Sequence, residues 1–134
     1  MAATNTPYHP KVRCAAGNVT LAEINANTRA GTVVVKAAAG KTIKVVDVWM
    51  RNVGSDITSA TAIVLEDTAG TDVMSTTVAT FNSNAFIRAG ASGTTVTNLG
   101  VALGKGTGLR IGCTAGDYAT GTGMDYTIFY ITAD

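Results

Sequence analysis

Charged residues are scarce in this chain, and this scarcity limits the partners that it can bind. Only 14% of the 134 residues are Asp, Glu, Lys or Arg, whereas about a quarter is usual for a soluble domain. The formal net charge of +1 provides no electrostatic attraction for nucleic acid or for an anionic membrane. With so little solubilising charge and no membrane span, the chain is expected to bury much of its surface against other chains.

Long apolar runs are also absent, and there are only two cysteines. No stretch approaches the length of a transmembrane helix, and the N-terminal sequence has neither the basic nor the apolar region of a secretory signal. Without such a signal, Cys14 and Cys113 are expected to be reduced thiols. A single bridge is the alternative, if the N-terminal residues lie beside the strand predicted at Leu109–Thr114.

Histidine is nearly absent, which argues against most catalytic and metal sites. His9 is the only one, and it lies between Tyr8 and Pro10 in a segment expected to be an arm. A general base could not be held in position there, and a catalytic triad or a zinc site would need further partners. We therefore expect no enzyme, no catalytic residues, no metal site and no cofactor.

Two glycine-containing segments resemble ligand-binding loops only superficially. Gly104–Gly108 lacks the spacing of a phosphate-binding loop, so we interpret it as a tight turn. Glu66, Asp67 and Asp72 lie close to Gly70, but they do not follow the pattern of a calcium loop. We interpret this acidic group as a solvated hairpin tip.

Threonine, alanine and glycine are abundant, with 22, 21 and 15 residues. Thr is favoured in strands, and turn residues interrupt the β-branched runs every 8–12 residues or so, as is typical of a sandwich or barrel. Strands are predicted at Thr32–Lys36, Thr42–Asn52, Ala62–Asp67, Thr71–Thr80, Thr95–Leu103, Gly108–Thr114 and Met124–Thr132. The expected fold class is all-β, with a single-domain antiparallel β-sandwich of jelly-roll type over residues 18–134.

An extended N-terminal arm is expected over residues 1–17, because Pro7 and Pro10 cannot donate ladder hydrogen bonds and favour extended backbone before them. The arm is followed by the window Leu21–Ala30, which is the best candidate for a helix. Its Asn and Thr residues are poor helix formers, so it is expected to hold no more than two turns.

Alternation along the predicted strands separates buried faces from exposed ones. Within Thr42–Asn52, one face is expected to hold Val46, Val48 and Met50. The other face is expected to hold Asp47, Trp49 and Arg51 and to be exposed or to contact a partner. The last strand is apolar on both faces, with Phe129 and Ile131 on its second face, so it is central or covered by another subunit. Trp49 and Tyr118 are either core residues or part of an aromatic contact surface.

Three segments carry a resemblance to a known family: Gly40–Gly54, Ala62–Thr68, and the closing strands with Gly108–Ile111 and Tyr126–Ile131. They resemble the small β-sandwich virion proteins of tailed bacteriophages, which include capsid decoration (cement) proteins and domains of head and tail fibres. The resemblance is one of layout over residues 31–132, so it transfers no functional residue. It implies a homotrimer that binds an assembled shell and performs no chemistry.

Two functions follow as expectations. The first is a capsid decoration protein of the virion, made in the host cytoplasm, whose partners are its own copies and the major capsid protein, with no nucleic acid and no membrane. The alternative is a receptor- or carbohydrate-binding domain of a fibre or spike, suggested by the polar loops Asn82–Asn84 and Asp117–Gly123. The candidate interface residues are Tyr8, Lys11, Arg13, Trp49, Arg51, Tyr118, Phe129 and Ile131.

Overall fold

A computed structural model describes residues 11–26, 31–59, 61–114 and 118–134 of the chain. Its elements, in chain order, are β1 (Arg13–Thr20), α1 (Leu21–Ala26), β2 (Thr32–Val35), β3 (Thr42–Val53), β4 (Ala62–Asp67), β5 (Asp72–Thr77), β6 (Phe86–Arg88), β7 (Thr94–Val96), β8 (Leu109–Thr114) and β9 (Gly123–Ala133). Strands dominate, so the predicted all-β class is confirmed.

The strands form two sheets in which all neighbours are antiparallel. One sheet has the order β1-β9-β3-β6, and the other has the order β2-β8-β4-β5-β7. When the three-residue β7 is set aside, these are the two four-stranded sheets of a jelly roll, in which the last strand returns between the first and the third. The predicted antiparallel β-sandwich is therefore confirmed, and the strand order is that of a jelly roll.

The hydrophobic core lies between the sheets and takes alternate side chains from the strands. Leu109, Ile111 and Cys113 are buried on the inward face of β8, as predicted. The largest fully buried side chains include Phe81, Ile24, Ile43, Met50, Ile63, Leu65, Met74, Leu109, Ile111, Met124 and Ile128. Because β9 lies between β1 and β3, it is a central strand, as expected. Its second apolar face, with Phe129 and Ile131, points away from the core, since Phe129 pairs with the outward Asp47.

A bulge in β3 reverses the direction of one residue predicted to lie in the core. The pairing of β3 with β9 shifts between Val45 and Asp47, so Val46 is the extra residue. Its side chain is 41% exposed, whereas Val45 is fully buried. The expectation that Val46 shares the inward face of Val48 was wrong, because strict alternation does not allow for a bulge.

Strand β1 corrects the boundary predicted for the N-terminal arm. Residues 1–10 lie outside the described residues, but Arg13–Thr20 pairs with β9 in continuous register. Residues 13–17 therefore belong to the sandwich and not to the arm. Gly17 leaves space for a neighbouring ring, since a Cβ at this position would lie 2.9 Å from the phenolic oxygen of Tyr126. This segment consists largely of small residues, so its local sequence did not predict a strand. It is a strand because it pairs with β9, more than 100 positions away.

The remaining strands agree with the predictions in part. β4 coincides with its predicted range and forms the predicted hairpin with β5. The strand predicted at Thr95–Leu103 is reduced to β7, because the chain turns at Asn98–Gly100, where Gly100 has a φ of 75°. β6 was not predicted, since three residues are too few to establish an alternating pattern.

Helix α1 lies within the window that was expected to hold no more than two turns. It begins with a capping box, in which the Glu23 N–H donates to Thr20 Oγ1 and the Thr20 N–H donates to the Glu23 carboxylate, each at 3.2 Å. Leu21 and Ile24 are buried in the core, so this short helix is held by packing on the sandwich as well as by its cap.

Candidate functional site

Alternate side chains of β3, β6 and β9 project from the four-stranded sheet on the side away from the core. Register places Trp49 beside Arg88 on one flank and Thr127 on the other, and it places Arg51 opposite Phe86. We refer to this group as the aromatic face, and its members are Asp47, Trp49, Arg51, Phe86, Arg88, Phe129 and Ile131.

Three rings form the centre of the aromatic face. Trp49 contacts Phe86 and Phe129 edge to face, with ring centroids 5.9 and 6.1 Å apart and interplanar angles of 74° and 70°. This arrangement is favourable beyond the apolar area that it buries. Even so, Trp49 remains 38% exposed and Phe86 59% exposed. Large rings that are packed together but still exposed are typical of a protein contact surface.

Asp47 fixes the polar side of this cluster. Its carboxylate accepts hydrogen bonds from Trp49 Nε1 at 3.0 Å, from Arg88 Nη2 at 2.9 Å and from the Val48 N–H at 2.9 Å. The Arg88 guanidinium also lies over the Trp49 ring, 5.6 Å from its centroid. Each of these contacts restricts the indole, so the ring is held in one orientation before any partner arrives.

The same contacts change the acidity of Asp47. Partial burial alone would raise the pKa of this carboxyl, but the hydrogen bonds from Arg88, Trp49 and Val48 outweigh it. The pKa of Asp47 therefore lies below its ordinary value. The carboxylate remains charged at neutral pH and is engaged with Arg88, so the pair presents little net charge to a partner.

Two open hollows border the rings. A hollow of about 200 Å³ is lined by Trp49, Arg51, Phe86 and Asp125, among others. A second, of about 540 Å³, lies beside Asp47 and Arg88 and extends over Ala89–Ala91. Both are open to solvent and lack the enclosed shape of a small-molecule pocket. Their form suits a broad contact with another protein surface.

The structure brings together four of the candidate interface residues. Trp49, Arg51, Phe129 and Ile131 all belong to the aromatic face. The charged candidates Lys11 and Arg13 lie elsewhere. Arg13 begins β1 and Lys11 lies two positions before it, and both are exposed. Tyr8 lies outside the described residues.

Tyr118 is a correction, because it is a core residue and not a contact residue. Only 4% of it is exposed, and its hydroxyl donates to the Gly112 carbonyl at 3.2 Å. The Asn25 side chain makes two hydrogen bonds to the backbone of Tyr118. Asn25 Nδ2 donates to the Tyr118 carbonyl at 2.8 Å, and Asn25 Oδ1 accepts the Tyr118 N–H at 3.0 Å. Burial first, and the nearby Cys113 second, raise the pKa of this phenol above its ordinary value.

Sequence reasoning missed Phe86 and Arg88, which complete the aromatic face. Both lie on β6, the strand that was not predicted, and they flank the buried Ile87. The alternation of Phe86, Ile87 and Arg88 is the signal that could have identified them. It is only three residues long, however, and its position against Trp49 follows from sheet register and not from local sequence.

The acidic hairpin is more ordered than the solvated tip that was expected. Asp67 is 1% exposed, and its Oδ1 accepts the N–H groups of Ala69 at 2.9 Å and Thr71 at 2.8 Å. Glu66 accepts a hydrogen bond from Arg110 Nε at 2.8 Å. The expectation that both are solvated was therefore wrong, because Asp67 accepts the backbone N–H groups of the turn and Glu66 pairs with Arg110.

Metal-binding groups and thiols are the other candidates for chemistry in the described part of the chain. There, no group of three or more His, Cys, Asp or Glu side chains is arranged to hold a metal ion. Cys14 is exposed on β1 and Cys113 is buried on β8, and no disulfide joins the two, which agrees with the expectation of reduced thiols. Within the same residues, no helix is long and apolar enough to cross a membrane.

Comparisons with known proteins give one informative match. No family model and no curated protein matches the chain. Among solved structures, it is similar to a chain of the cyanophage Pam1 capsid asymmetric unit, with 21% identity and a TM-score of 0.51. The match covers 98% of this chain and 91% of that chain. At this level of identity, the likeness concerns the fold.

Proposed function

We propose that this chain is a structural protein of a phage virion, and specifically a capsid decoration protein that binds and stabilises the assembled head. The observation that carries the proposal is the extent of the fold match, which spans nearly the whole of both chains. Such a match covers the whole sandwich and not one segment of it. The family resemblance of the sequence supports the same function, which involves no catalysis and no cofactor.

The aromatic face is proposed as the surface that contacts the shell. Binding energy at protein interfaces is concentrated in a few Trp, Tyr and Arg residues that lie in well-packed, desolvated positions. Trp49 and Arg88 are of these types, and Phe86 adds the most exposed ring of the cluster. Because Asp47 and Arg88 neutralise each other, a partner would not leave an unpaired charge buried when it covers them.

The proposed partners are the major capsid protein and further copies of this chain, which the resemblance implies form a homotrimer. Nucleic acid and membranes are not proposed as partners, because a net charge of +1 provides no electrostatic attraction for either. The proposed location is the virion, after synthesis in the host cytoplasm.

The fibre or spike alternative has less support. A sugar-binding platform needs the open face of an aromatic ring, but the Arg88 guanidinium lies over the Trp49 ring, and Tyr118 is buried. If the alternative were correct, a glycan array would give hits that disappear in Trp49→Ala. A blank array together with shell binding supports decoration.

Co-sedimentation with assembled phage shells tests the proposal. We expect the purified protein to sediment with shells and not with unassembled capsid protein, and Trp49→Ala and Phe86→Ala to weaken binding at least about tenfold each, as hot-spot truncations do. Phe86→Ala is the safer variant for folding, because this ring is 59% exposed.

Val33→Ala is the matched control, because Val33 is 51% exposed on β2 of the other sheet. It should bind shells as the wild type does. A stable monomer in light scattering that has no affinity for shells would overturn the proposal, and so would equal losses in Val33→Ala and Phe86→Ala.

A further inference from the structure

The four edges of the sandwich differ in how open they are to another strand. β2 has four residues and a register shift between Val33 and Val35, and β6 and β7 have three residues each. β1 has eight residues in unbroken register, no proline and one charge, at Arg13. Short, bulged or charged edges resist further pairing, whereas a long regular edge permits it. β1 is therefore the open edge of the described sandwich.

The register identifies which backbone groups of β1 face outward. The Thr20 N–H donates to the Glu23 carboxylate and not to β9, so residues of the same parity point away from β9. They are Cys14, Ala16 and Asn18, all of which are exposed. Their N–H and C=O groups form a row of three donor and acceptor pairs along the free edge, with the small residues Ala15, Ala16 and Gly17 at its centre.

We propose that β1 pairs with β1 of a second copy of this chain, antiparallel and about a two-fold axis at Ala16. In this register Ala16 faces its own equivalent, and Cys14 faces Asn18 of the second copy. All three outward residues then exchange hydrogen bonds, and the pairing is the same for both copies, as a two-fold contact requires. The result is one continuous eight-stranded sheet.

The side chains and charges of this edge are complementary under the same symmetry. The residues around the axis are Ala15, Ala16 and Gly17, so two backbones can approach without steric conflict. Arg13 lies opposite Val19 of the second copy and not opposite another cation. The basic end of β1 approaches the other copy's capping box, which carries the Glu23 carboxylate, so opposite charges face each other. A strand from an unrelated protein would have no such match of register and charge.

This contact goes beyond the proposed decoration function and does not depend on it. Because a trimer with three-fold symmetry has no two-fold axis, the contact would link subunits of neighbouring trimers, and it requires no shell. Its test therefore uses the isolated chain, so that failure of this pairing and failure of shell binding are separate results.

Cross-linking at the axis tests the pairing. In a Cys14→Ser background, Ala16→Cys places two thiols at facing positions, where Cα atoms of hydrogen-bonded partners are about 5.5 Å apart. We expect a short bismaleimide to convert most of the protein to a covalent dimer on a denaturing gel. Ser92→Cys, exposed in a turn outside β1, is the control and should stay largely monomeric. Equal cross-linking of the two variants would overturn the proposal.

Ala16→Lys provides the complementary measurement. It places two cations across the axis, and we expect the mass in light scattering to fall by at least half relative to the wild type. Because Ala16 is exposed, the circular dichroism spectrum and the unfolding midpoint should stay unchanged. A folded Ala16→Lys variant that keeps the wild-type mass, or a wild-type protein that is monomeric at high concentration, would contradict the pairing.

Discussion

At the scale of single residues, Asp47 controls the geometry of the aromatic face. Ordinary alternation places Asp47 and Trp49 on the same side, and the bulge at Val46 lets that side face outward although Val45, two residues before Asp47, is buried. One carboxylate can then hold both the indole of Trp49 and the guanidinium of Arg88. An exposed tryptophan that is restrained in this way loses less conformational entropy when a partner covers it.

Asp47→Asn is predicted to reduce stability at neutral pH but not in acid. The folded pKa of Asp47 is lowered, so its stabilisation is present above the unfolded pKa and is lost as the pH falls through the folded value. The pair lies at the surface, so we expect a loss of about 1 kcal/mol or less at neutral pH. Urea unfolding followed by Trp49 fluorescence measures it, and the difference should shrink as the pH falls below the ordinary pKa of an aspartate.

The control for this prediction is Asp72→Asn, since Asp72 is exposed and lies on the other sheet. It should unfold like the wild type at both pH values. A loss in Asp47→Asn that persists unchanged in acid would show that the side chain acts by packing and not by its charge.

At the scale of elements, the entry of the chain into β2 depends on one close backbone approach. Gly31 has a φ of 71°, and a Cβ at this position would lie 1.8 Å from the Ile111 carbonyl oxygen on β8. No side chain can be accommodated there without moving backbone, because the obstacle is the β8 strand itself. This contact sets where β2 begins to pair with β8.

Gly31→Ala is predicted to be far more destabilising than Gly40→Ala. Both glycines have nearly the same φ, 71° and 73°, but Gly40 has nothing within 4 Å of the added Cβ. Gly40→Ala should cost only the conformational penalty of about 1–2 kcal/mol. Gly31→Ala adds a steric clash, so its unfolding midpoint in urea should be lower than that of Gly40→Ala. Equal midpoints would mean that β8 shifts freely and that the close approach has no structural role.

Strands in which apolar and polar residues alternate clearly were predictable, and strands that form only by pairing with distant parts of the chain were not. β4 and β8 contain Ile63, Leu65 and Ile111 on one face and therefore follow from local sequence. β1 consists largely of small residues and is a strand because β9 pairs with it. β6 has three residues, and the bulge at Val46 depends on how β3 meets β9. Local patterns carry no information about such long-range pairings.

At the scale of the whole molecule, the candidate site was predicted only in part for the same reason. Alternation placed Trp49 and Arg51 on an outward face, but the sequence could not show that Phe86 and Arg88 would lie beside them. For Tyr118 the sequence left a core role and a contact role open, and its place in a polar loop favoured neither; the ring turns into the core and donates to Gly112. Register and loop packing, both long-range properties, decide which exposed residues form one surface.

The low charge of the molecule leads to a prediction about how the aromatic face binds a shell. Asp47 and Arg88 form an ion pair, and Asp125, beside the face, stands opposite Arg51 in register, so the charges of these four residues sum to zero. Its binding should therefore be driven by burial of the rings, with a negative heat-capacity change in calorimetry. Affinity should change less than about threefold between low and high salt, because screening acts on net charge.

Asp47→Asn tests whether the Asp47–Arg88 pair is what makes shell binding insensitive to salt. It leaves Arg88 without its carboxylate partner, so shell binding by this variant should become dependent on salt, whereas binding by Asp72→Asn should not. Calorimetric titrations of shells with the wild type and both variants, at two salt concentrations, make the comparison. A wild-type affinity that falls steeply with salt, without a negative heat-capacity change, would mean that charges outside the aromatic face dominate the contact.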